Sequence, residues 1–325
     1  MISNAPKWII GAYSASPTRF DWVPAEEEEY LSGIYAIPTI RGLEVPFTGT
    51  LHKFDEPWFL ARIPKHLDIV LTLIPATTAA VKNNPNFGIA SSDEEGRKSA
   101  VALAKDAADA VNRIEKALGR KAVISVQLHS APGGKNVDAL AKSLIEISEF
   151  SWQGAKLVLE HCDAKIPDQK AEKGYLSLAD EIAAIKLSNK NIGITINWGR
   201  SAIESRSAQG PLEHLKQAEQ AGLLAGLMFS GASDVDNRFG TAWKDCHVPP
   251  APLDTPAVNS QELLEPKSLM TGDELRKCYL ASQPDSFQGY YGLKIAPLHE
   301  VTIEERIATV TQSISVLERS ISKAQ

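Results

Sequence analysis

Short apolar runs alternate with longer stretches whose apolar positions recur at three and four residues, and the alternation repeats eight times along the chain. Trp8 to Ser14 reads as a first strand, followed by an acidic helix start at Pro24-Ala-Glu-Glu-Glu-Glu, which suits the positive end of a helix dipole. Ile40-Arg-Gly-Leu-Glu-Val-Pro is a second strand, Pro57 to His66 a weakly signalled helix, and Asp68-Ile-Val-Leu-Thr-Leu-Ile-Pro a third strand. Ser92 with Glu95 predicts a capping box opening the clearest helix, with Val101, Ala104, Ala108, Val111, Ile114 and Leu118 on one face and Gly119 as its stop. Strands ending at His129, Glu160, Asn197 and Ser230 alternate with helices over Val137 to Phe150, Leu176 to Leu187 and Gly210 to Ala221. Thr271 with Glu274 caps a further helix, Tyr290 to Pro297 is the eighth strand, and Thr302 with Glu305 caps a last helix.

Strict alternation of this kind calls for a parallel sheet, and eight repeats with short apolar strands close a single (β/α)8 TIM barrel spanning 1–325. One segment breaks the rhythm. From Gly231 to Met270 the chain is irregular and rich in proline, as lids and contact arms are, so this long loop between strand 7 and its helix is expected over the strand C-terminal mouth or at a subunit contact.

A length of 325 residues leaves the domain count open, and 43% hydrophobic with 23% charged residues is ordinary for a globular protein with a sizeable core. No run reaches the roughly 18 apolar residues of a membrane span, and the N-terminus lacks a basic start and long apolar core, which predicts a cytoplasmic protein with no membrane contact. Cys162, Cys246 and Cys278 are odd in number and widely spaced, so reduced thiols are expected rather than a disulfide framework or structural zinc. A net charge of -6 disfavours a nucleic-acid groove, and the expected partner is a small molecule; self-association stays open.

Side chains alternate along a strand, so a barrel strand sends one set into the lumen and the other toward the helices. On strand four the apolar Ile124, Val126 and Leu128 suit the helix side, leaving Ser125, Gln127 and His129 inside. On strand five Glu160 shares a face with Lys156 and Val158, while His161 lies with Leu157 and Leu159, and Asp163 follows in the loop. The same reasoning turns Glu44, Asn197, Ser230 and Lys294 inward. Several polar groups converging at the strand C-terminal ends make a site, because that is where barrels carry chemistry. Arg200, Arg206 and Arg238 lie beyond strands six and seven, where an arginine can clamp a carboxylate or phosphate although a lone surface arginine is more often just solvated; Arg200 is nearest its strand end. His129-Ser-Ala-Pro-Gly-Gly-Lys is a second anion-loop candidate, although glycines also simply make turns.

This pattern resembles the xylose isomerase-like superfamily of TIM barrels, which includes sugar isomerases, sugar epimerases and endonuclease-four-type nucleases. Ile40-Arg-Gly-Leu-Glu-Val-Pro looks like the end of that family's second strand, His129 sits where its fourth strand often ends in His, and Glu160 looks like the metal-binding glutamate ending strand five. The chain departs from the family where the other metal ligands stand: Asn197-Trp-Gly-Arg, Met228-Phe-Ser-Gly and Lys294-Ile-Ala-Pro replace the Asp and His, the His and the second Glu. Magnesium or manganese wants several oxygen ligands, so no metal cofactor is expected, and Glu160 is the ligand if one is bound.

The expected activity is a sugar or sugar-acid isomerase or epimerase, with the carbohydrate phosphorylated or not, that moves a proton next to a carbonyl. Glu160 is the base, His129 or Glu44 a second acid or base, and Lys294 a fixed positive charge; Asn197, Arg200, Ser230, His161 and Asp163 contact substrate. Two alternatives stay open: a Schiff-base lyase or aldolase using Lys294, and a carbohydrate-binding barrel without chemistry.

Overall fold

Eight short strands, β1 (Trp8–Ile10), β2 (Ile40–Pro46), β3 (Asp68–Thr72), β4 (Val123–Leu128), β5 (Lys156–His161), β6 (Gly193–Asn197), β7 (Leu224–Phe229) and β8 (Tyr290–Leu293), follow one another in a closed barrel in sequence order. Helices alternate with them, so the expected (β/α)8 class holds. The computed structural model describes residues 6–19, 21–133, 136–253 and 260–322. Contacts divide the chain into two compact units: Gly42–Thr195 with Gln220–Ala225 carries β2 to β5, and the remainder carries β1, β8 and most of β7. Among the described residues no helix is long and apolar enough to cross a membrane.

In the first of these units β2 pairs with β3, β3 with β4 and β4 with β5, all parallel. Their apolar residues, among them Leu43, Ile69, Leu71, Val126 and Leu159, are buried. Gly42 must be glycine, because a Cβ there would stand 2.0 Å from the Asp68 carbonyl oxygen of β3. In the other unit β8 pairs with β1 and β7, and Trp8 packs its ring against Phe229 and Tyr291.

The strongest helix runs Glu94–Leu118 and stops at Gly119 in the left-handed conformation, as its spacing predicts. Its cap is Asp93, whose carboxylate accepts the Gly96 N–H at 2.7 Å, rather than Ser92. The frame shifts by one because a carboxylate serves the positive helix terminus better than a hydroxyl. Thr271 and Thr302 cap their helices as expected; at the second, Glu305 also accepts the Thr302 N–H and completes a box. Two helices of eight residues or more have no counterpart among the predicted elements. Ile74–Asn83 begins at residues that continue the apolar run of β3, and Trp198–Ser205 follows β6 without a break, capped by Asn197 itself. The first strand also stops early, since Ala12–Ser14 turns as a 3-10 helix.

The irregular segment folds back on its own unit: Gly231 exchanges both backbone hydrogen bonds with Val248, and His247 accepts the Ala296 N–H. It therefore lies against the ends of β7 and β8. A short helix, Ser260–Leu263, interrupts it, while Pro256 and its neighbours at 254–259 lie outside the described residues.

Arg97, 1% exposed, pairs with Glu94 of its own helix and ties that helix to Val137–Ser148 through Glu146 and Ser143. Arg97 first, and Lys142 after it, hold the Glu94 carboxyl down at about 2. A depressed carboxyl contributes stability above its unfolded pKa, near 4.5, and loses it as pH falls toward 2. Melting temperature recorded from pH 5 to pH 2 is expected to fall less steeply in Glu94→Gln than in the parent; superimposable curves would show that this pair does not shape the acid limb.

Candidate functional site

Parallel pairing sets Gln127 level with Val158 and Leu128 level with Leu159, so the next residue of each strand, His129 and Glu160, must stand side by side. They do. The His129 Nε2 and Glu160 carboxylate lie 2.9 Å apart, and the residues are 3% and 1% exposed. A buried imidazole in contact with a buried carboxylate can pass a proton and keep the imidazolium that results close to a compensating charge.

The next residue of β5 faces the other way. His161 meets Glu181 of the helix Leu178–Ser188 through Nδ1 at 2.8 Å, and the second oxygen of Glu181 accepts the Ser130 hydroxyl at 2.5 Å. Because Glu181 sits on a helix, this contact fixes the register of β5: His161 points to the helix layer and Glu160 to the barrel interior. All three groups are fully buried. Asp163 is turned to backbone. Its carboxylate accepts the N–H groups of Glu172 and Lys173 at 2.7 and 2.9 Å and so closes the loop that follows β5. Past the ends of β4 and β5 a cavity of about 990 Å³ opens between Pro132, Gly133 and the Lys165–Gln169 stretch. Glu44, 1% exposed, lies on β2 level with Val70 of β3. The anion-loop candidate after His129 runs into residues 134 and 135, outside the described residues.

The unit of β1, β7 and β8 holds the other candidates. Lys294 is 1% exposed; its stem lies over Gly11, where a Cβ would stand 2.9 Å from Cγ, and its ammonium is 5.8 Å from the centre of the Tyr13 ring. Asn197 accepts the Arg200 N–H at 3.3 Å. The Arg200 guanidinium is buried against Asp245 at 2.6 Å, His247 lies 3.5 Å from that carboxylate, and Ser230 is 2.8 Å from the same His247 nitrogen. Arg206 lies over the Trp243 ring and Arg238 pairs with Glu265. Asp245 and His247 sit in the irregular segment, where no periodicity marks a residue as buried, and Glu181 reads as an ordinary first-turn acid of its helix.

His129, Glu160 and Cys162 place an imidazole nitrogen, a carboxylate oxygen and a sulfur within 4.8 Å of one another. This set could hold zinc but fits magnesium or manganese poorly, since it offers one type of oxygen donor. Even for zinc the fit is incomplete: His129 and Glu160 direct their facing atoms at each other, and Cys162 packs with Ile74, Ala131 and Tyr175 in an apolar cluster.

Known proteins share this architecture. A putative xylose isomerase from Rhodospirillum rubrum superposes with a TM-score of 0.62 at 11% identity, over 97% of this chain and 99% of that one. An L-ribulose 3-epimerase does so with a TM-score of 0.58 at 16% identity, over 98% and 97%. At the sequence level, an uncharacterized protein of Salmonella typhimurium strain LT2 is 36% identical over 98% of this chain and 99% of its own. The match to a defined family runs over residues 9–309. The chain thus has the fold of the xylose isomerase-like TIM barrels and belongs to the family described as Domain of unknown function (DUF4862).

Proposed function

We propose that the protein is an isomerase or epimerase of a sugar or sugar acid, working by proton transfer at the carbon next to a carbonyl. The observation that carries this reading is the contact between Glu160 and His129, two buried titratable groups at the ends of adjacent strands where barrels place their chemistry. Glu160 takes the proton, and His129 orients the carboxylate and returns or relays the proton to the neighbouring oxygen. The likeness to a putative xylose isomerase and to an L-ribulose 3-epimerase supports a carbohydrate substrate. Glu44 is a further acid for the same reaction, and Lys294 supplies a fixed positive charge for the enediolate oxygen.

The test is exchange. Incubation in D2O with a panel of aldoses, ketoses and sugar acids is expected to place deuterium at the carbon next to the carbonyl of one of them, read by proton NMR. A full panel without exchange, combined with melting-temperature shifts on some of its members, would leave a carbohydrate-binding barrel in place of an enzyme. Proton transfer in this scheme needs only side chains, so purified protein is expected to carry no stoichiometric metal. One zinc or manganese per chain by elemental analysis, lost on replacing Glu160, would overturn that part.

A further inference from the structure

The cavity past the ends of β4 and β5, of about 990 Å³, lies at the top of the size range of small-ligand sites, roughly 300 to 1,000 Å³. Three separate segments build it, and each supplies apolar side chains: Val81 after β3, Pro132 after β4, and Ile166, Pro167 and Tyr175 after β5. Lys165, Lys173 and Asp168 also line it; with both signs of charge among them, what the three segments share is apolar surface. We infer that this cavity binds the apolar group of a substituted sugar, a glycoside with an aromatic aglycone.

Two observations carry the inference beyond an apolar patch. The first is that the chain holds these side chains in place. Residues 164–174 form a loop whose ends meet: the Tyr175 N–H donates to the Asp163 carbonyl at 3.0 Å, and the Lys165 N–H to the Tyr175 carbonyl at 3.1 Å. The Asp163 carboxylate, 1% exposed, accepts the N–H groups of Glu172, Lys173 and Gly174. Burying a carboxylate costs free energy unless it is hydrogen-bonded, and here the hydrogen bonds that meet the cost also fix the loop. Within the loop Gln169 donates its N–H to the Ile166 carbonyl at 3.3 Å, with Pro167 second in the turn and Asp168 third, at a φ of 59°. Proline presets the backbone for the second place, so the half-buried Ile166 and the exposed Pro167 are kept on the wall. An apolar group entering the cavity displaces solvent from these side chains, and walls already fixed lose little freedom when it arrives.

The second observation is where the cavity lies. Tyr175 of its wall packs with Cys162, and the Cys162 sulfur stands within 4.8 Å of the facing atoms of both His129 and Glu160. The wall thus adjoins the pair assigned to proton transfer. A sugar ring is held through its hydroxyls by polar groups, so apolar surface of this extent beside the pair matches a second, apolar group on the same molecule. That the ligand is a sugar rests on the proposed function; that its group in this cavity is apolar does not.

Nile red, a neutral dye whose emission rises in apolar surroundings, tests the cavity without turnover. It is expected to bind the full chain and to be displaced by phenyl β-D-glucopyranoside, whereas methyl β-D-glucopyranoside should need at least about tenfold higher concentration, given the apolar area that the phenyl ring adds. Ile166→Asp and Pro167→Asp are each expected to weaken the dye and the phenyl glucoside about tenfold, since either sets a charge against the apolar group. Should Ile166→Asp fail to fold, Pro167→Asp, at an exposed residue, decides. Glu160→Gln is expected to leave dye binding unchanged, so a failure of the catalytic reading is seen separately. No dye binding would overturn the inference, as would dye binding that the folded variants leave unchanged. A dimer by size-exclusion chromatography that these variants dissociate would overturn it too, and would assign the surface to a second copy of the chain. Phenyl and methyl glucosides that displace the dye equally, or not at all, would overturn the assignment to an aromatic glycoside.

Discussion

Replacing Glu160 by Gln is expected to lower turnover about 100-fold or more while leaving the fold nearly as stable as the parent. The two roles open to a buried carboxylate separate in this one variant. If Glu160 served only as a structural partner, its contact with His129 could be kept by the Gln amide, because Gln has the same shape and can still bond the imidazole. Stability would then hold, and so would activity. If Glu160 removes a proton from substrate, the amide has no basic lone pair to accept it, and the rate falls whatever the fold does. The measurement is deuterium exchange on the substrate that the panel identifies, alongside a thermal melt. His129→Gln is the companion. A relay residue is expected to cost turnover while leaving substrate-induced melting shifts in place. Full exchange in Glu160→Gln, at the parent's stability, would dispose of the site assignment and leave the structural role.

The barrel was legible because its evidence is repetitive. Eight apolar runs and the 3.6-residue periodicity between them survive an error at any single element, so the early stop of β1 at Ile10 and the unexpected helix at Ile74–Asn83 leave the class unchanged. What escaped were helices whose starts carry no polar break. Ile74 continues the apolar run of β3, and Asn197 is both the last residue of β6 and the cap of Trp198–Ser205. Periodicity cannot divide a residue between two elements.

The candidate site was legible only as far as strand alternation reaches. Alternation separates Glu160 from His161, and parallel pairing makes His129 the neighbour of Glu160; both are short-range consequences of β geometry. The partners of His161, Asp163 and Arg200 come from a helix, a loop and the irregular segment, at 20, 9 to 11 and 45 residues' distance. Nothing local announces such partners. They are chosen by how helices and loops settle on the barrel, so the contacts of His161 with Glu181 and of Asp163 with loop backbone could not be read from the sequence.

That difference between neighbours sets up the second large effect. Glu181→Ala is expected to destabilise the protein by about 3 to 5 kcal/mol, because it leaves His161 and Ser130 buried without the carboxylate that serves both. A change of this size should lower the melting temperature by roughly 10 °C, given the few degrees that each kcal/mol is worth in a domain this large. Glu181→Gln, which keeps one acceptor oxygen and the side-chain volume, should recover part of the loss. The readouts of the two β5 neighbours then cross. Glu160→Gln spends its effect on turnover and little on stability, whereas Glu181→Ala does the reverse, with the exchange rate per folded molecule near the parent's at a temperature where the variant remains native. Should Glu181→Ala melt with the parent but lose exchange, the chemistry would lie on the helix side of β5, and the assignment of Glu160 and His129 would have to be given up.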